Sequence, residues 1–104
     1  MPIFKFNGVN QERINLYAEK INEISKLIVA DPKNIMFICE NTIVLPNNGK
    51  DTPIFITIEW MARPDKEQLI VDHLKDFFKD DSNAVGVFIT EMNGKWYMKG
   101  NKIG

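Results

Sequence analysis

Apolar residues follow two spacings in turn along this chain, short runs of strand type and then stripes at helical intervals. Ile3-Phe4-Lys5-Phe6 predicts a short strand, ended by Asn7-Gly8. Ile14, Tyr17, Ile21, Ile24 and Ile28 recur at intervals of three and four, the apolar stripe of one helix. Asn10 can cap that helix, and Asp31-Pro32 stops it after about Ala30. Ile35 to Leu45 is rich in β-branched and aromatic residues and predicts a second strand. Turn formers fill Pro46-Asn47-Asn48-Gly49-Lys50-Asp51.

The same order then returns. Pro53 to Trp60 predicts a strand, and Asp65 with Gln68 forms a capping-box pattern behind Pro64. Ile70, Leu74 and Phe77 carry the next helical stripe, and Val85 to Met92 predicts a strand. Asn93-Gly94 predicts a hairpin turn into Lys95-Trp96-Tyr97-Met98. Pro2-Ile3-Phe4 reappears as Pro53-Ile54-Phe55, an offset of 51 that Glu40 and Glu91 share, with Phe37-Ile38 matching Phe88-Ile89. The helices drift to an offset of 53, where Leu16, Ile21 and Ile24 meet Leu69, Leu74 and Phe77. The chain therefore reads as one domain, residues 1–104, built from pseudo-repeats 2–45 and 53–100.

Each repeat is a strand-helix-strand unit, and parallel strands joined this way need a right-handed crossover. Two units side by side give an α+β fold of two layers, a four-stranded mixed sheet with its helices on one face and a C-terminal hairpin. The strands carry apolar residues at both parities: Ile54, Ile56 and Ile58 against Phe55, and Ile35 and Phe37 against Met36 and Ile38. One sheet face would then stand apolar in water, so an oligomer that covers it is expected.

Bulk properties narrow the function classes. A net charge of −1 gives no field for phosphate backbones or anionic lipid, so neither a nucleic-acid nor a membrane partner is expected. No apolar run approaches the length of a membrane span, and the first residues lack the layout of a secretion signal. The single cysteine, Cys39, has no internal disulfide partner, which fits a reducing cytoplasm. One cysteine and one histidine give no metal-ligand spacing, and no glycine-rich phosphate loop is present. Neither a metal nor a cofactor is expected.

The unusual group is Pro2. Removal of Met1 would leave its nitrogen a free secondary amine with a lone pair; with Met1 attached it is an amide without basicity. A terminal amine titrates near ~8, and burial or nearby positive charge would favour its neutral, basic form. The plainer role of Pro2 is to open an edge strand, where no ladder donor is needed. Arg63 can hold a carboxylate with two hydrogen bonds, or be a solvated loop residue. Trp60 and Tyr97 can wall an apolar pocket or pack at an interface. Lys5 falls on the face opposite Pro2 and Phe4, and His73 is placed to pack between helices.

Pro53-Ile54, Arg63-Pro64-Asp65, Val87-Phe88-Ile89-Thr90-Glu91-Met92 and Tyr97 together resemble a subunit of the 4-oxalocrotonate tautomerase type. The whole chain, with two fused units, is similar in layout to macrophage migration inhibitory factor. Pro2 with Gly8-Val9, Glu40-Asn41-Thr42, and Trp60 before Arg63 further resemble a bacterial branch described as a domain of unknown function. The resemblance implies a homotrimer with clefts between subunits, and Pro2 as base toward a small keto or enol carboxylic acid. It implies Arg63, Trp60 and Tyr97 as substrate-binding residues, with Glu40 and Lys33 in support. Two positions depart from the pattern. Gly86 stands where short relatives carry an arginine, and Asp31 stands near a lysine of the fused ones, Lys33 being the nearest cation.

Overall fold

The computed structural model describes residues 1–104. Strand β1 (Ile3–Asn7) leads to helices α1 (Gln11–Ala18) and α2 (Ile21–Ile28), then β2 (Met36–Cys39). The second half runs β3 (Ile54–Trp60), α3 (Glu67–Phe78) and β4 (Val85–Glu91), and a hairpin of β5 (Tyr97–Met98) and β6 (Asn101–Lys102) follows. The four long strands form one sheet in the order β2-β1-β3-β4. β1 pairs parallel to β2, β3 pairs parallel to β4, and the two halves meet through antiparallel β1 and β3. The expected α+β sandwich, mixed sheet and C-terminal hairpin are all present.

The helical layer buries one parity of each strand. Phe4, Phe6, Ile56, Ile58 and Trp60 are wholly buried against Tyr17, Ile24, Ile28, Ile70, Leu74 and Phe78. A wholly buried side chain of that size removes enough apolar area to contribute about 1.5–3 kcal/mol. The other parity is open: Phe55 and Phe88 remain 47% and 59% exposed. Lys5 lies on this open face, as its parity required, and pairs with Glu59 at 3.0 Å.

Four local expectations are corrected. The first helix is two, because Lys20 leaves helical geometry while the apolar intervals run through the break unaltered. β2 ends at Cys39 rather than Leu45: β1 stops at Asn7, so residues beyond Glu40 have no ladder partner. There the Thr42 hydroxyl accepts the Gly8 N–H instead, at 3.2 Å. The Asp65–Gln68 capping box does not form; Pro64–Lys66 makes a 3-10 turn, and the Gln68 amide donates to Asp72. The chain does turn at Asn93-Gly94, but β5 pairs with β6 and not with β4.

A fifth correction concerns Pro2. The strand it opens is interior to the sheet, not at an edge. The ladder still tolerates it, because Pro2 contributes its carbonyl, which accepts the Met36 N–H at 3.0 Å.

Candidate functional site

Antiparallel pairing of β1 with β3 sends the two prolines to opposite ends of the sheet. Ile3 lies beside Glu59 and Asn7 beside Phe55, so Pro2 neighbours the end of β3 while Pro53 neighbours the end of β1. Pro2 is wholly buried and Pro53 is exposed.

At the Pro2 end the loop after β3 supplies a cation. The Arg63 guanidinium sits 5.5 Å from the Trp60 ring centroid and donates to the Met61 carbonyl at 3.0 Å. That stacking and back-bond hold the fork beside the chain terminus. The Met1 amino group is held below its ordinary value of 8.0, first by burial and then by the Arg63 charge. Both effects penalise an ammonium ion and favour a neutral amine.

The sequence-predicted residues divide by position. Pro2, Trp60 and Arg63 gather at one end of the sheet. Lys33 lies on the exposed 3-10 turn Pro32–Asn34 that enters β2, whose first residue is bonded to Pro2. Glu40 follows β2 at the opposite end, where its N–H reaches the Phe6 carbonyl. Tyr97 is 57% exposed on the separate hairpin. Trp60 is itself wholly buried, and its indole N–H and that of Trp96 have no acceptor. Gly86 lies beside Phe55 on the open face, toward the Pro53 end.

Two clefts open elsewhere on the chain. One, of about 240 Å³, lies at the Pro53 end between Gly8, Thr42–Val44, Asn47, Thr52 and Asp81. Its charge is internally matched, since Arg13 binds both Asp81 carboxylate oxygens at 3.0 Å. The other, of about 300 Å³, lies over α2 and α3 and is lined by Lys20, Glu23, His73, Asp76 and Phe77. There His73 bridges the buried Tyr17 hydroxyl and the Glu23 carboxylate, tying α1, α2 and α3 together. Burial pushes the Tyr17 phenol far up, while the His73 hydrogen bond holds Glu23 below its ordinary 4.5. His73 was legible as a packing residue; its two partners, distant in sequence, were not. No group of three His, Cys, Asp or Glu side chains is close enough to hold a metal ion.

This arrangement defines a class: two fused strand-helix-strand units on one mixed sheet, the fold of the tautomerase and macrophage migration inhibitory factor proteins. A Trichinella spiralis macrophage migration inhibitory factor shares it with a TM-score of 0.73 at 12% identity, over 97% of this chain and 99% of that one. A fused 4-OT, R7, solved as an asymmetric trimer, shares it with a TM-score of 0.74 at 16% identity, over 96% and 94% of the two chains. Within that class the chain belongs to the family described as Domain of unknown function (DUF1904), which matches residues 1–103. A DUF1904 structure from Sebaldella termitidis superposes with a TM-score of 0.85 at 16% identity, over 99% of this chain and 100% of that one. No curated protein sequence matches the chain.

Proposed function

We propose that the chain is a tautomerase that uses Pro2, freed by removal of Met1, as the base toward a small keto or enol carboxylic acid. The observation that carries this reading is the burial of Pro2 at the end of the sheet where the loop after β3 carries Arg63. There burial and then the Arg63 charge hold the Met1 amine below its ordinary value. Neutral Pro2 would take a proton from the carbon next to the carbonyl and return it to the enol oxygen, so nothing is consumed. Arg63 would hold the substrate carboxylate with its two-pronged fork. Lys33 supports from the β2 side, and Trp60 backs the guanidinium.

The reading includes a homotrimer. It is supported by the apolar open face around Phe55 and Phe88, by the exposed hairpin with Tyr97, and by the trimer of the fused 4-OT structure. In it Tyr97 and Glu40 act on a neighbouring copy, and the cleft over Pro2 closes between copies. A cytoplasmic location goes with the unpartnered Cys39; no helix is long and apolar enough to cross a membrane.

A second reading rests on one observation: both clefts of the single chain lie away from Pro2, which is buried. On that reading the protein is a non-catalytic oligomeric binding or structural module that retains the fold. Intact mass on protein from its own host, followed by an enol–keto assay of wild type and Pro2→Ala, separates the two. Loss of Met1 and a large drop in turnover support catalysis. Retained Met1, or equal rates, leaves the module.

A further inference from the structure

The Arg63 guanidinium makes one hydrogen bond to backbone, to the carbonyl of Met61 two residues back. What holds that carbonyl in place therefore decides where the guanidinium points. Three contacts fall on residues 60–62, and all come from the segment that follows β4. The Met92 N–H donates to the Trp60 carbonyl at 2.9 Å. The Ala62 N–H donates to the Asn93 side-chain oxygen at 3.0 Å, spanning 31 positions of sequence. On the other flank Gly104 lies against Met61 so closely that an added Cβ would stand 2.5 Å from the Met61 sulfur.

The same segment is folded back on itself. The N–H groups of Ile103 and Gly104 both reach the Trp96 carbonyl, and β5 pairs with β6 in between. Contacts at its two ends thus bracket the loop, Asn93 on one side and Gly104 on the other. From these ties we infer that the segment after β4, Met92–Gly104, is a clasp that positions Arg63, with Asn93 as its positioning residue. Neither Asn93 nor Gly104 touches a reacting atom; Asn93 acts through the Ala62 N–H, while Gly104 packs against the Met61 side chain. The 3-10 turn that Arg63 opens has its Lys66 N–H bond to the Arg63 carbonyl but no side-chain cap, so the ties from Met92 and Asn93 hold the residues before it. The inference deepens the proposed reading of the Pro2 end and rests on it for its catalytic consequence only.

The test compares Asn93→Ala, which removes the acceptor, with Asn93→Asp, which keeps one. Asn93 is exposed, so both variants are expected to fold. Amide hydrogen exchange at Ala62 should quicken about fivefold or more in Asn93→Ala and return toward wild type in Asn93→Asp. The Arg63 side-chain Nε resonance should broaden or shift in the same order. In the enol–keto assay KM should rise about fivefold in Asn93→Ala with kcat nearly unchanged, because a carboxylate held in both ground and transition states contributes to binding.

Unchanged Ala62 exchange together with an unchanged Arg63 signal in Asn93→Ala would overturn the clasp. A fall in kcat alone would also overturn it, because a positioning role through Arg63 must appear in KM. If wild type itself shows no turnover, the tautomerase reading fails, while faster Ala62 exchange and a moved Arg63 resonance still support the clasp.

Discussion

The two halves of this chain start alike and end differently. Each opens with Pro-Ile-Phe, each sends a strand into one sheet, and each follows it with helix and parallel strand. Yet Pro2 is buried at the end of the sheet where the loop after β3 carries Arg63, and Pro53 is an exposed amide next to a cleft whose carboxylate is already matched by Arg13. Where the loop after β3 carries Arg63, the loop after β1 carries Asn10, whose side chain is spent on capping α1 through the Glu12 N–H. The two units offer equivalent corners, and their loop residues give only one of them an unmatched cation. The chemistry of a repeat is thus set in its loops, while its strands preserve the fold.

The comparison is most sharply broken at the prolines. Pro2→Ala should lower enol–keto turnover about 10³-fold, within the range for loss of an adapted general base, and Pro53→Ala should leave it unchanged. Equal effects at the two positions would mean that both prolines serve the fold alone.

The two faces of β3 give the next contrast. Ile56 is wholly buried under the helices, so Ile56→Ala should cost about 3 kcal/mol of stability in a denaturant melt. Phe55, half-exposed on the open face, should cost about 1 kcal/mol on the same change if that face stays in water. A Phe55→Ala loss as large as that of Ile56→Ala would show a neighbouring copy covering it.

Arg63 tests what separates the two ends electrostatically. Arg63→Ala should raise KM about 30-fold, the effect of losing a charged hydrogen-bonding partner. It should also shift the rising limb of the pH–rate profile. Burial first and Arg63 second hold the Met1 amine below its ordinary value. A Pro2 amine in the same surroundings should give activity that rises with pH as the amine becomes neutral. Removing the guanidinium leaves the burial effect alone, and the limb moves to higher pH. An unmoved limb would detach Arg63 from the amine.

The smallest effect lies on the helical layer. Glu23 is held below 4.5 chiefly by its hydrogen bond to His73. A depressed carboxylate stabilises the fold above its unfolded value, and that stability is lost as pH falls below 4.5 through the folded value. Glu23→Gln should flatten this part of a melting-temperature profile between about pH 5 and pH 3, by a degree or two at most, since Glu23 is solvent-screened.

Much of the fold was legible because strand and helix periodicities differ and the pattern occurs twice. The boundaries were not. Intervals of three and four pass unbroken from Tyr17 to Ile21, so nothing in them marks the break at Lys20. Thr42-Ile43-Val44-Leu45 has strand composition, but a strand needs a neighbour, and β1 has already ended at Asn7. Of the candidate site, Pro2 and Arg63 were identifiable from residue type. Asn93 was visible only as a turn former, because nothing local shows that its side chain reaches Ala62.

By itself, then, the sequence marked most of the residues that face the helical layer, although Phe78 rather than Phe77 closes the last stripe. It also showed a strand-helix-strand order that occurs twice and one proline that could become a terminal amine. Tertiary structure decided that β1 and β3 lie antiparallel at the middle of the sheet, which parts the two prolines and sets Pro2 next to Trp60 and Arg63. The physical reason is that periodicity records only which side of an element avoids water. Which strand lies beside it, and which loop thereby meets the chain terminus, depends on ladder hydrogen bonds and packing between residues far apart in sequence.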